Sequence, residues 1–249
     1  MAYLWYYKRP KGGIKMANVV KMNYINLVGI ERLLISKPTG TKIYILKNGF
    51  KFKLFPEDQQ KIDCPEMEYF YNLLLAQTEL RFETISTPTQ IVTENDMLYG
   101  YIAPFSKGTI LRDIDPLLLI ETLLSLLKKF EREVKELSEA GWIMGDFHDG
   151  NLLIDGQLST ITAIDTDCYE KVKTDPYKQN LKAIFSTIIY VILPKIQLSK
   201  AYKNKLIRRY FIMAQEGLIR TSEFLEILLT ELKQYIIKDL TLEGLRNKI

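Results

Sequence analysis

Apolar residues between Leu27 and Phe55 come in short runs rich in strand formers: Leu33 to Ile35, Ile43 to Leu46 and Phe50 to Phe55. Asn48-Gly49 separates the second run from the third. Both residues accept the positive φ that a two-residue turn demands, so the pattern predicts a β-hairpin there. The first two runs are joined by Ser36-Lys37-Pro38-Thr39-Gly40-Thr41. At Pro65 the period changes. Proline suits a first helical turn, and Glu66, Tyr69, Phe70 and Leu73 recur at helical spacing, which predicts a helix from Pro65 to Leu75 with the glutamate on or beside its apolar stripe. Two more strands, Pro88 to Val92 and Leu98 to Ile102, flank a turn at Glu94-Asn95-Asp96. Ala103-Pro104-Phe105 then breaks the pattern, and Ser106-Lys107-Gly108 reads as loop.

Helical periods dominate the second half. Asp115-Pro116 is a cap followed by a first-turn proline, and Gly141 is a C-terminal stop after Ala140. Between them Leu119, Leu123, Leu126, Leu127, Phe130, Val134 and Leu137 form one apolar stripe. Leu152 to Ile154 and Ile161, Ala163 and Ile164 read as two strands of a hairpin turning at Asp155-Gly156. Asp175-Pro176 opens another helix, and amphipathic helices follow near Ala201 to Gln215 and Ser222 to Lys238. Strands followed by helices predict an α+β fold. Its parts are an N-terminal arm over 1–26, a β-sheet with one helix over 27–105, and a helical portion with the hairpin over 106–249. Leu4-Trp5-Tyr6-Tyr7 in the arm reads as an edge strand or a tether packed on the body.

Composition narrows the classes. The chain has 249 residues, 47% of them hydrophobic and 26% charged, enough to build a core and too apolar to be disordered. A net charge of +4 suits an anionic ligand but supplies no dense basic face for nucleic acid. Lys203, Lys205, Arg208 and Arg209 form a sparse basic cluster, read as a solvated helix face, with an acidic partner or nucleic acid as the alternatives. Two cysteines, Cys64 and Cys168, suggest a reducing compartment, and a single histidine, His148, excludes zinc chemistry and most histidine-dependent triads. The N-terminus has no signal-peptide pattern, and the apolar run Ile188 to Leu193 is too short to span a bilayer, so the expectation is a cytoplasmic protein without a membrane span.

The candidate chemistry lies between Met144 and Asp167. Asp146 stands five residues before Asn151, and the hairpin returns Asp165 beside that asparagine. Two carboxylates and an amide oxygen then converge, the hard donors that magnesium with a triphosphate requires. This pattern resembles the catalytic loop and metal-binding aspartate of the protein-kinase-like superfamily. Gly145-Asp146-Phe147-His148 looks less like the His-Arg-Asp of eukaryotic kinases than like the Gly-Asp-x-His of compact bacterial, lipopolysaccharide-core and small-molecule kinases. The resemblance implies a two-lobed fold, a small antiparallel sheet above a mostly helical lobe. It makes Asp146 the catalytic base and Asn151 and Asp165 the magnesium ligands, while His148 shapes the loop.

The same resemblance extends to the sheet. Ser36, Thr39, Gly40 and Thr41 would cover the phosphates, although the family's loop is richer in glycine. Lys53 matches the strand lysine that contacts the α- and β-phosphates. Lys51 occupies the position where the family has a small residue against adenine; taken instead as the phosphate lysine, it puts Gly49 there. Glu66 matches the glutamate that pairs with this lysine, its alternative role being a first-turn acid favoured by the helix dipole. Backbone groups from Tyr101 to Ala103 would bind the adenine edge. Met144 replaces a bracing histidine, so apolar packing would brace the loop, and Asp167 holds a second metal or solvates its turn. Asn180-Leu181 resembles a turn of the lipopolysaccharide-core kinases. The implied cofactors are ATP and Mg2+, and the implied activity is transfer of the γ-phosphate to a hydroxyl. Serine or threonine of a protein is one acceptor; the fourteen residues between Asp165 and Asn180, lacking Ala-Pro-Glu, point to a small molecule or glycan instead. A non-catalytic nucleotide-binding pseudokinase scaffold is the alternative of another class.

Overall fold

The computed structural model describes residues 18–115, 120–192 and 204–233, and its architecture is α+β, with a mixed sheet and six helices. Leu4 to Tyr7 and Lys203 lie outside the described residues. The sheet comprises β1 (Val19–Val20), β2 (Ile30–Ser36), β3 (Lys42–Leu46), β4 (Phe50–Leu54), β5 (Gln90–Glu94) and β6 (Met97–Pro104), in the order β1-β5-β6-β4-β3-β2. β1 runs parallel to β5 and every other pair is antiparallel. Asn48-Gly49 makes the β3–β4 turn, with Gly49 at φ +82°.

Residues 18–26, read from the sequence as the end of an arm, belong to the body. They supply β1 and the start of α1 (Met22–Val28), whose Ile25 packs on Leu46, Phe52, Val92 and Ile102. α2 (Pro65–Gln77) covers the opposite face, with Leu74 buried against Phe55, Ile91, Leu98, Tyr101 and Ala103. The predicted Pro65–Leu75 helix is therefore present and two residues longer.

The second half packs around α3 (Ile120–Glu139), whose Leu123, Leu126, Leu127, Phe130, Val134 and Leu137 are buried as their spacing predicts. α4 (Tyr177–Ile192), α5 (Lys205–Gln215) and α6 (Thr221–Lys233) close this core. Phe185, Phe211 and Phe224 meet edge to face at 5.1–5.8 Å. Glu131, buried on α3, accepts from the backbone N–H of Thr221 at 2.7 Å and of Ser222 at 3.3 Å, capping α6. Lys205, Arg208 and Arg209 are exposed on α5. Among the described residues, no helix is long and apolar enough to cross a membrane.

Short strands fix the chain around the candidate site. β7 (Thr109–Ile110), β9 (Leu152–Ile154) and β10 (Ile161–Ala163) form one small sheet in the order β10-β9-β7, and β8 (Trp142–Ile143) pairs with β11 (Glu170–Lys171). The β9–β10 register matches Ile154 with Ile161, so the loop spans 155–160 and is not the two-residue turn that Asp155-Gly156 suggests. Asp155 sets the longer loop: its carboxylate accepts from Ser159 N at 2.7 Å and Thr160 N at 2.8 Å. Asn180 lies in α4 and not in a turn. Its amide donates to Ser138 Oγ and Trp142 O at 2.9 Å each and accepts from Met144 N at 2.8 Å. Met144 is itself buried, so apolar packing and this polar clamp together brace the loop that follows. Asn180→Ala strands a buried N–H and a buried carbonyl, and should destabilise the protein by about 3 kcal/mol in urea unfolding; a loss below about 1 kcal/mol would show that the clamp is not structural.

Candidate functional site

Alternation along β4 sends Phe52 to the α1 face and Lys51 and Lys53 to the other. Across the ladder Lys51 lies opposite Ala103, and Lys53 opposite Tyr101. Both lysines are only 7% exposed, although lysine is almost never buried without a partner. For Lys53 the partners come from beyond β10. Its ammonium donates to Asp165 Oδ1 and, at 2.9 Å each, to Asp167 Oδ1 and Oδ2. Lys37, in the loop between β2 and β3, stands 3.8 Å from the second Asp165 oxygen. The Tyr101 ring lies 5.9 Å from Lys53 Nζ.

Local structure aims these carboxylates. Ile164 N donates to Asn151 O at 2.8 Å, fixing the end of β10 beside the asparagine. Asp165 adopts left-handed backbone angles (φ 61°, ψ 54°), which aspartate tolerates better than most residues. A 3₁₀ turn, Thr166–Cys168, follows, and the Thr166 hydroxyl donates to Ser86 O at 3.1 Å. Ser86 in turn donates through its hydroxyl to Pro104 O at 3.0 Å, tying the turn to the end of β6.

The Asp146 loop runs alongside. A Cβ on Gly145 would stand 1.9 Å from Cys168 O, so only glycine lets the chain pass the turn that carries Asp165 and Asp167. Asp146 (φ 49°) is exposed, and its carboxylate makes no hydrogen bond or ion pair among the described residues. Its carbonyl accepts from Asn151 Nδ2 at 3.0 Å, and Gly150 N donates to His148 Nδ1 at the same distance. Phe147 stacks on Phe130 with ring centroids 6.0 Å apart.

Charge is unevenly shared. Burial would lower the Lys53 pKa, but Asp167 and then Asp165 reverse this and hold it above the ordinary lysine value. Burial acts to raise the Asp165 pKa and Lys53 overcomes it, holding the carboxyl low; at Asp167 burial prevails and the pKa is raised. Lys51 has no such partner among the described residues, and burial lowers its pKa from 10.5 to about 8. Three lysines (Lys37, Lys51 and Lys53) thus converge on two carboxyl groups. That excess favours an anion.

The residues expected from the sequence fall into three groups. Lys53 and Asp165 are in direct contact, and Asn151 is bonded into the loop of Asp146 on one side and to Ile164 on the other. Ser36, Thr39 and Gly40 are exposed in a tight turn closed by Lys37 N donating to Thr41 O at 2.9 Å. Glu66 is exposed on the first turn of α2, and Lys53 takes Asp165 and Asp167 as partners instead. The backbone role expected of Tyr101 is taken up by the sheet. β6 runs between β5 and β4, and Tyr101 is in register with both Ile91 and Lys53, so it contributes its ring. Ala103 is buried beside Lys51. Sequence reasoning missed Lys37, whose signal was its place as the only cation in the 36–41 loop, and Ser86, which had none.

A magnesium ion can be tested against the donors present. The Asn151 amide nitrogen is spent on the Asp146 carbonyl, which leaves Oδ1 as an acceptor, and the Asp165 and Asp167 carboxylates supply further hard oxygens. Among the described residues, no cluster of three or more His, Cys, Asp or Glu is spaced to hold a metal. Magnesium on a nucleotide needs only one or two protein carboxylates with phosphate oxygens, so the donor set fits. The sequence matches no protein-family model and no curated protein.

Lys51 supplies a stability test. Its pKa is lower in the folded chain than in the unfolded one, so the folded state disfavours the proton. Stability is then lost as pH falls from the unfolded value of 10.5 to about 8 and stays lost below that. The cost at neutral pH is on the order of 3 kcal/mol. Lys51→Met should therefore stabilise the protein at pH 7 by on the order of 1–3 kcal/mol, with the gain shrinking towards pH 10.5 in denaturant titrations. Destabilisation at pH 7, or a gain independent of pH, would contradict it.

Proposed function

We propose that the protein is a compact kinase-like phosphotransferase that moves the γ-phosphate of ATP to a hydroxyl. The observation that carries this reading is the Lys53 ion pair with Asp165 and Asp167, which joins a sheet strand to the end of the β9–β10 hairpin across 112 residues of sequence. The Asp146–Asn151 loop flanks the same turn. Positioning and charge neutralisation are most of what phosphoryl transfer asks of a protein. Asp146, exposed and unpaired among the described residues, is the group that would accept the hydroxyl proton. Asn151 and Asp165 would hold Mg2+, which supplies charge neutralisation at the phosphates. Lys37 comes within 3.8 Å of Asp165, which supports a phosphate-covering role for the turn of residues 36–41. The short stretch from Asp165 to α4 offers little surface for docking a peptide, which favours a small molecule or glycan over a protein as acceptor.

A nucleotide-binding scaffold without transfer activity is the second reading. It is favoured by the exposure of Glu66, which leaves the strand lysine without the partner an active kinase uses. Incubation with labelled ATP and magnesium, with the protein itself, generic proteins and metabolites as acceptors, separates the two. Transfer or ATP hydrolysis is expected, and Asp165→Asn should abolish it while the far-UV spectrum persists. Asp146→Asn should abolish transfer and shift stability by less than about 0.5 kcal/mol, because the carboxylate it removes has no partner among the described residues. Turnover in either variant equal to that of the parent would refute the assignment.

A further inference from the structure

The geometry points to a division of labour between the two β4 lysines: Lys53 holds the carboxylates of Asp165 and Asp167, and Lys51 is the cation that meets the phosphates of the ligand. This rests on reading the cluster as a phosphate site. A lysine ammonium has three protons to donate. Those of Lys53 face three carboxylate oxygens, one of Asp165 and both of Asp167, so it binds a phosphate only by releasing a carboxylate. Lys51 is the opposite case. It is 93% buried, points to the same side of the strand, and makes no hydrogen bond or ion pair among the described residues. Asp165 and Asp167 attract it only from a distance, while the Lys53 ammonium repels it.

Lys51 buries its aliphatic stem and leaves three ammonium donors without a protein acceptor among the described residues, so an incoming acceptor displaces no protein partner. The matching acceptor is a condensed phosphate, whose several oxygens satisfy Lys51 and the half-exposed Lys37 together. Lys51 sits opposite Ala103, so its aliphatic stem also covers part of the wall against which a base would pack. The phosphates, more than the base, would then carry the affinity.

Calorimetric titration of the full chain with ATP, inorganic tripolyphosphate and adenosine, all in magnesium, tests this. Lys51→Met and Lys51→Gln are run beside the parent, each checked for folding by circular dichroism. Both variants should bind ATP and tripolyphosphate at least about tenfold more weakly, with adenosine unaffected. Binding of both phosphates at parental affinity would overturn the role of Lys51 and leave the phosphotransferase reading standing. Binding of tripolyphosphate but not ATP, weakened in the variants, would keep the lysine assignment and remove the nucleotide. No binding of either phosphate by the parent would remove both.

Discussion

The site depends on the ion pairs that join Lys53 of β4 to Asp165 and Asp167 in the turn after β10. The inward face of β4 carries Lys51 and Lys53, and two carboxylates reach Lys53 from the far half of the chain. Burying such a group is unfavourable unless geometry and hydrogen bonding are both good, and well-packed apolar residues join two parts of a protein at least as well. The arrangement therefore makes more sense as a site than as a fastening. Three lysines beside two carboxyl groups, Lys51 among them without a partner in the described residues, suit an anionic ligand.

The surrounding structure serves to aim that cluster. Asn180 and the β8–β11 pair hold the approach to Asp146, while Gly145 lets that approach touch the Asp165 turn. Ser86 and Thr166 link the turn to the end of β6, so the sheet and the carboxylates keep a common frame. The Asp146 carboxylate is exposed and has no partner among the described residues, on a backbone whose carbonyl is taken by Asn151. An exposed carboxylate on a hydrogen-bonded backbone suits the proton-acceptor role proposed for Asp146.

Much of this was legible in the sequence, for particular reasons. The β3–β4 hairpin, α2 and α3 follow from turn residues and from periods long enough to count, and the α3 stripe is buried residue for residue as far as it is described. α1 was illegible because a seven-residue helix with one buried side chain, Ile25, has no period to read. β8 and β11 are two residues each and exist only through their partner. Asn180 was misread as part of a turn because a buried asparagine and an exposed one look alike until the backbone groups that need it are known. The partner of Lys53 shows the same limit. Helical spacing nominated Glu66, but which charges meet is settled by tertiary placement, and two aspartates after β10 reach the lysine first.

The central claim is that the Lys53, Asp165 and Asp167 cluster binds a metal–phosphate ligand. Thermal unfolding of the parent protein with and without millimolar magnesium-ATP tests it most directly, because a ligand held only by the folded state stabilises by about 2.7 kcal/mol at one hundred times its dissociation constant. The account predicts a rise in Tm of several degrees that grows with ligand concentration. An unchanged Tm at saturating magnesium-ATP would contradict it.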